Sequence, residues 1–444
     1  MNDINKNKAD KADKLLEALS DTDDDMILAA DPARQTRRRL PLWVKIGSAA
    51  AAVLVVGGAA AAVMMNRPAD GLVQPSQPTS SEAEATSDSS VAEQGTLTAD
   101  ENLPKITAKV EFGAMGFEGY LLNEMSELAS GNPWSEAQNI TVMPVYKNRV
   151  QKDGAGGTIV TGLTYYDVQD ELKTLLKDTA ARMGVTFTDE EMTDNAYSAE
   201  VQQEITEKLG GDVPEHYFDP TAMKIVTSEF TIETDANYVT DIEFTEPIML
   251  PFSLKITDYD KAVEAAEYLM QEYSGLLDME APTISIDGGD YYYSGERSPF
   301  SVSFYDSAGT PEQGIENYFM NNVRFIGNEY GDLWIIRIVR YDLAAELVGN
   351  YPLITTDEAA EMLKNGEFAT SVPVSEGYKP ESYDRVELVY RTRIRDEYFI
   401  PYYKFWIDVT DEIGAVQKTY GAFYIPAVRP EYLEDTPTYD GSFN

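Results

Sequence analysis

The sequence predicts an α+β protein: a single transmembrane helix, then extracytoplasmic antiparallel sheets packed with helices. Three observations predict it. The uncharged run Ile46–Met65 lies between an arginine cluster and a polar tract. About 20 apolar residues at 1.5 Å each give roughly 30 Å of helix, the thickness of a bilayer's hydrocarbon core. Beyond residue 102, alternating Tyr-rich runs recur, the pattern of antiparallel strands with one solvated face. Stretches at helical spacing lie between those runs.

Residues 1–42 form the first segment. From Ala9 to Leu19, Leu15, Leu16 and Leu19 fall on one helical face. Ser20, Asp21 and Thr22 interrupt it. Thr22 with Asp25 then makes a capping-box-like start for a second short helix through Met26, Ile27, Leu28 and Ala29, which Pro32 ends. Asp21, Asp23 and Asp25 imitate the first ligands of a calcium loop. Met26 stands where that loop needs Gly and Pro32 where it needs Glu, so no metal site is expected. A peptide this short builds no core. Its apolar residues, Leu15, Leu16, Leu19, Met26 and Ile27, are therefore the expected contact with a partner.

Residues 43–66 are the expected membrane span. Trp43 suits the interface and Lys45 can snorkel to the headgroups. Arg34, Arg37, Arg38, Arg39 and Lys45 precede the run and only Arg67 follows closely. Positive charge stays inside, so a cytoplasmic N-terminus, an extracellular C-terminal part and a plasma-membrane location are expected. A cleaved signal peptide is the competing reading. Its n-region and apolar core are shorter than these. Gly57 and Gly58 permit close helix contact, although small residues are abundant throughout the run.

Residues 67–101 are rich in Pro, Ser, Thr, Glu and Gln and read as a disordered linker. About 30 residues of such coil span roughly 30 Å, which keeps the outer part near the bilayer.

The chain of 444 residues carries a net charge of −41. Residues 1–45 hold nine basic and nine acidic side chains, so the whole excess lies beyond them. Such a field repels nucleic acid and anionic surfaces, and nucleic acid is excluded as a partner. There are no cysteines, which removes disulfides, thiolate catalysis and Cys-based zinc sites. A large exported part without disulfides fits a Gram-positive type of envelope.

Within residues 102–345, the expected extracytoplasmic α+β body, strands are predicted at Ile106–Phe112, Ile140–Tyr146, Thr158–Tyr166, Met223–Glu233, Tyr238–Phe244, Phe300–Tyr305 and Leu333–Tyr341. Helices are predicted at Glu118–Ala129, Asp167–Met183, Ala199–Leu209, Asp258–Leu276 and Pro311–Asn321. Asp153–Gly157 lacks a phosphate-binding Lys and reads as a hairpin loop. Residues 346–430 are set apart as a C-terminal module with a helix at Asp357–Lys364 and strands at Val386–Arg395, Tyr402–Val409 and Thr419–Ile425, and 431–444 as a tail. Leu254–Asp260 and Leu353–Glu358 each lead into a helix through Thr or Asp caps. Ordinary strand-to-helix chemistry accounts for this as well as an internal repeat does.

Two resemblances accompany these residues. Lys14–Ala30, the basic run and the single span together resemble the N-termini of membrane-anchored, anti-sigma-factor-like regulators of Firmicutes. That resemblance implies a cytosolic partner such as a sigma factor. The His-and-two-Cys zinc signature of such proteins is absent, so binding would fall to the Leu15, Leu16 and Leu19 face. Tyr351–Gly366, Val386–Arg391, Ile400–Trp406 and Tyr424–Val428 are similar to PepSY/YycI-type extracytoplasmic modules. That similarity implies a helix on an antiparallel sheet and a non-catalytic sensing role.

Catalytic motifs are sparse. The single histidine, His216, completes neither an HExxH site nor a triad with a Gly-x-Ser-x-Gly elbow. The carboxylate pairs Glu190/Glu191, Asp287/Asp290 and Asp396/Glu397 say little among 76 acidic residues. Trp134 and Tyr291–Tyr293 suggest an aromatic platform for sugar, though sheet packing also explains them and is the preferred account. Asn132-Pro133 matches a bond at which some anti-sigma factors self-cleave, and also matches a turn. No cofactor and no enzyme activity are expected. The partners expected are the lipid bilayer, a cytosolic regulator and an envelope ligand; a surface-displayed module for glycan or peptide is the alternative.

Overall fold

The computed structural model describes residues 97–108, 120–122, 124–153, 159–211, 213, 215–292 and 294–436. The partner face of Leu15, Leu16, Leu19, Met26 and Ile27, the span and the linker's first thirty residues lie outside them. Among the described residues no helix is long and apolar enough to cross a membrane. They are α+β with antiparallel sheets.

The strands are β1 Tyr120–Leu122, β2 Val142–Asn148, β3 Lys152–Asp153, β4 Ile159–Val160, β5 Thr193–Asp194, β6 Ala222–Val226, β7 Phe230–Asp235, β8 Val239–Ile248, β9 Pro282–Asp287, β10 Ser301–Asp306, β11 Asn321–Gly327, β12 Leu333–Arg340, β13 Ala345–Pro352, β14 Arg385–Tyr390, β15 Tyr398–Phe399, β16 Pro401–Asp408 and β17 Thr419–Pro426. The helices are α1 Tyr165–Arg182, α2 Ala199–Lys208, α3 Tyr259–Glu272, α4 Ser274–Leu277, α5 Pro311–Met320 and α6 Thr356–Asn365. They build an eight-stranded sheet, β5-β6-β7-β8-β12-β11-β10-β9, with a three-stranded sheet β13-β2-β15, a four-stranded sheet β1-β17-β16-β14 and the β3-β4 hairpin.

Strand alternation sorts the large sheet into two chemistries. One rung runs Ile225, Ile232, Ile242, Ile336, Phe325, Val302, Ile286 across seven strands, and every member is buried. On that side α1 packs against β6 and β7, and α3 against β9 and β10. Val168, Leu172 and Leu176 recur at four-residue spacing on the buried face of α1, and Ala262, Ala265 and Ala266 let α3 approach closely. The neighbouring rung faces the other way and reads Lys224, Glu233, Asp241, Arg337, Arg324, Ser303, Ser285. Over its β9–β10 end lies α5, where Tyr318 packs edge-on against Tyr305 at 5.6 Å.

In the four-stranded sheet the strand β17 is covered on both faces. Every residue of β17 is buried. Phe423 and Ile425 join a cluster with Ala359 and Leu363 of α6, while Tyr420, Ala422 and Tyr424 join another with Trp406 and Ile106. The strand β2 ties distant stretches together, because it pairs with β13 on one edge and β15 on the other.

Several sequence expectations need correction. Glu118–Ala129 holds no α-helix among its described residues. Tyr120–Leu122 pairs with β17, and Met125–Glu127 is a 3-10 turn; a free sheet edge overrides the helical preference of Leu, Met and Glu. Met223–Glu233 is two strands. Thr227 Oγ1 accepts the Glu229 and Phe230 N–H groups and turns the chain. Thr158–Tyr166 keeps two strand residues before Thr164 and Asp167 cap α1. The helix expected over Asp258–Leu276 breaks at Tyr273 into α3 and α4. The strand expected over Val386–Arg395 stops at Tyr390, where Arg391 bonds Asp396. The strands flanking Asp153–Gly157 do pair as a hairpin, and Asp258 and Thr355 do cap their helices.

Candidate functional site

A cleft of about 200 Å³ opens between the 134–141 segment, the start of α6 and Tyr403 of β16. Asn132-Pro133 starts one wall. Asn132 Oδ1 accepts the Trp134 N–H at 3.0 Å, and its Nδ2 donates to the Leu388 carbonyl at 2.9 Å. The Asn side chain thus makes a turn of its own and anchors it to β14. Ser135 and Gln138 form a capping box, and Gln138 reaches back to the Pro133 carbonyl at 3.1 Å. These bonds place Trp134 edge-on to Tyr403, with ring centroids 6.1 Å apart.

The opposite wall is the first turn of α6. Thr355 Oγ1 accepts the Glu358 N–H at 3.1 Å, and Glu358 returns the favour to the Thr355 N–H at 2.7 Å. Those bonds hold the Glu358 carboxyl below its usual range. Thr356 and Asp357, whose N–H groups precede any bond within the helix, line the cleft. The Tyr403 hydroxyl donates to the Ile354 carbonyl at 3.0 Å, and burial pushes it up to about 12. Glu136 and Asp357 put exposed carboxylates at the rim. The cleft is smaller than the roughly 300–1,000 Å³ that takes drug-sized ligands. Its lining combines the first turn of α6, rim carboxylates and an aromatic wall.

Other residues flagged by sequence are spoken for. His216 lies on an exposed turn at φ 64°, its Nδ1 2.7 Å from Asp219. Asp287 accepts the Gly131 N–H at 2.8 Å and the Tyr318 hydroxyl at 2.7 Å, while Asp290 bonds Ser298. Glu191 caps a 3-10 turn through Thr188. Tyr291 donates to Glu127 at 2.6 Å and stacks near Arg297. Tyr291 and Trp134 thus have separate partners, and the platform they were expected to share is reduced to Trp134 with Tyr403. Among the described residues, no group of three or more His, Asp or Glu is disposed to hold a metal.

Two features escaped the sequence. Lys404 and Glu387 sit opposite each other in β16 and β14 and form a nearly buried ion pair at 2.9 Å, beneath the Trp406 ring. Burial opposes the Glu387 charge, but Lys404, Ser130 and Arg385 together outweigh it and the carboxyl ends low. Glu316 of α5 is half-buried against the Tyr146 hydroxyl, and the loss of water around it pushes it up to about 7. The sequence signal for the first is opposite charges on neighbouring strands, visible only once register is known. The second pair is 170 residues apart.

No known protein family matches this chain, and no curated protein matches its sequence.

Proposed function

We propose that the chain is a single-pass plasma-membrane sensor. Residues 97–436 face outward and recognise a small saccharide-class ligand at the Trp134–Tyr403 cleft, and residues 1–42 engage a cytosolic regulator of the sigma-factor kind through Leu15, Leu16, Leu19, Met26 and Ile27. The observation that carries the reading is the cleft itself: an aromatic wall, the open end of α6 and rim carboxylates converge on a space the size of one sugar ring. The arginines before Ile46 support the orientation. The structural use of His216, Asp287 and Glu191 supports a non-catalytic role.

Calorimetric titration of the full chain in detergent with amino-sugar oligomers tests the outer half. Trp134→Ala is expected to weaken binding at least tenfold and Asp357→Asn several-fold. Absence of binding by every oligomer removes the saccharide reading. The alternative, a surface-displayed binding module without signalling, predicts that binding persists while no cytosolic protein co-purifies with the wild type.

A further inference from the structure

The open face of the large sheet carries an apolar and acidic patch at one end. Beside the polar rung, on the same face, Val226, Thr231, Glu243 and Ile335 form the next cross-strand row, from β6 through β7 and β8 to β12. Val226 and Glu243 are exposed, and Thr231 and Ile335 are partly so. Strands lie about 4.8 Å apart, so three steps make the row roughly 14 Å wide. The bulge between Leu333 and Ile335 sets Trp334 at its end, where the indole N–H donates to Glu243 Oε1 at 3.2 Å. Leu333 pairs with Ile248, which brings Met249 alongside. The Leu254 N–H donates to the Gly331 carbonyl at 2.7 Å and ties the loop after Met249 to the β11–β12 hairpin that carries Tyr330. Val226, Met249, Tyr330 and Trp334 are all exposed.

Carboxylates flank these side chains. The Thr245 N–H donates to the Glu229 carbonyl at 2.9 Å, which holds Glu229 beside β8. Glu246 follows Thr245 along β8, and Glu329 precedes Tyr330. Glu229, Glu243, Glu246 and Glu329 are exposed, and among the described residues none of them pairs with Lys or Arg. Arg337, in the adjacent row, is taken by Asp241 at 2.8 and 2.7 Å. Lys255 and Asp258 in the 249–258 loop cancel. Trp, Tyr and Met exposed together are the composition of a protein interface. The charge selects what covers it. Four carboxylates with no base, on a chain of net charge −41, repel a second copy of the chain and an anionic bilayer, and attract a cation.

We propose that this patch is the docking site for a basic segment of a partner protein. An arginine of that segment lies on the Trp334 ring and pairs with the Glu243 carboxylate, whose Oε2 takes no bond from the indole. Apolar side chains of the segment cover Val226, Ile335 and Met249, and its remaining positive charges meet Glu229, Glu246 and Glu329. Arginine fits better than lysine, because its planar guanidinium stacks on an indole and forks to a carboxylate at once. Patch and partner are independent of the Trp134 cleft, so saccharide binding there neither supports nor removes them.

The test is calorimetry on the full chain in zwitterionic detergent, titrated with a hexapeptide of alternating Arg and Leu and with its Lys/Leu, Gln/Leu and Glu/Leu counterparts. The Arg/Leu peptide is expected to bind at least tenfold tighter than the Gln/Leu peptide and more tightly than the Lys/Leu peptide; the Glu/Leu peptide is expected not to bind. Affinity is expected to fall with added salt. Trp334→Ala and Glu243→Gln are each expected to lose at least fivefold. Glu190→Gln, which removes an exposed carboxylate between α1 and β5, is expected to leave affinity unchanged. Both patch variants alter exposed side chains, and unchanged melting confirms that each folds. Equal binding of the Arg/Leu and Gln/Leu peptides, wild-type affinity in both patch variants, or an equal loss in Glu190→Gln overturns the site. Self-association in sedimentation, or binding to phosphatidylcholine vesicles, that Trp334→Ala abolishes gives the patch to a second copy or to the bilayer and overturns the basic partner.

Discussion

Arg391 grips Asp396 with two parallel bonds, Nε to Oδ2 at 3.0 Å and Nη2 to Oδ1 at 2.7 Å, with both side chains under a tenth exposed. The pair ends β14 and folds the chain back toward β15. A buried pair of this kind costs much to split, because the surviving charge has no water to return to. Asp396→Ala is expected to destabilise the fold by about 3–5 kcal/mol. Asp170→Ala, which removes a partner of Lys173 on the solvent side of α1, is expected to cost under about 0.5 kcal/mol. Urea denaturation of both variants checks the contrast, and equal losses would refute it.

Glu316 sets a pH dependence. Burial pushes its carboxyl from 4.5 to about 7, against the bond from Tyr146 and with help from Glu312. The unfolded chain ionises it at the lower value. Between the two values the folded form holds the extra proton, so its stabilising contribution is complete below pH 4.5, fades as pH rises toward 7 and is gone above. Glu316→Gln is expected to be more stable than wild type at pH 8, by about 1–3 kcal/mol, with the advantage gone near pH 4.5. Denaturation midpoints at those pH values decide it; a pH-independent difference rejects the assignment.

Gly131 has no room for a side chain. A Cβ there would lie 2.1 Å from Ser285 Oγ and 2.9 Å from Ser285 Cα. Gly131→Ala is expected to cost about 2 kcal/mol or more, through overpacking and loss of the N–H bond to Asp287. Gly184 is open in space but sits at φ +77°, so its Ala variant loses only the backbone term, about 1 kcal/mol. Thermal melts that rank the two the other way contradict the packing account.

Orientation is tested on cells. External protease is expected to digest the part beyond residue 97 while an N-terminal epitope tag survives until lysis. In the same cells, Leu15→Asp with Leu19→Asp is expected to lose any co-purifying cytosolic protein. A protected outer part, or its release free of the membrane, counts against a two-sided sensor.

How far the sequence speaks can be seen element by element. Leu333–Arg340 and Thr419–Pro426 were legible because β-branched and aromatic residues dominate there. Helices α1, α5 and α6 were legible through their helical spacing, and α6 also through its Thr355 cap. Asn321–Gly327 was not, because β11 follows α5 with no loop and its opening Asn-Asn resembles a turn. Pro282–Asp287 begins with a Pro and ends at Gly-Gly, so local chemistry masked the edge strand that β10 recruits. The Trp134 cleft was half legible: Trp134 stood out, but Tyr403 and the end of α6 join it only through tertiary packing. The Arg324–Arg337 contact depends wholly on register, which no local pattern encodes.

A short seam joins residues 100–108 to β13 and to residues 432–435. Ile106 lies in parallel alongside Leu433; its N–H meets the Tyr432 carbonyl, and its carbonyl the Glu434 N–H, each at 2.9 Å. Asp100 is laced to Asn350 and Pro104 to Tyr351. A pull applied at residue 97 therefore loads these few bonds, which lead into β13, before it reaches the eight-stranded sheet. These bonds tie residues 100–106 to β13 and to residues 432–434 and involve no strand of the eight-stranded sheet, so losing them would leave that sheet's pairing intact.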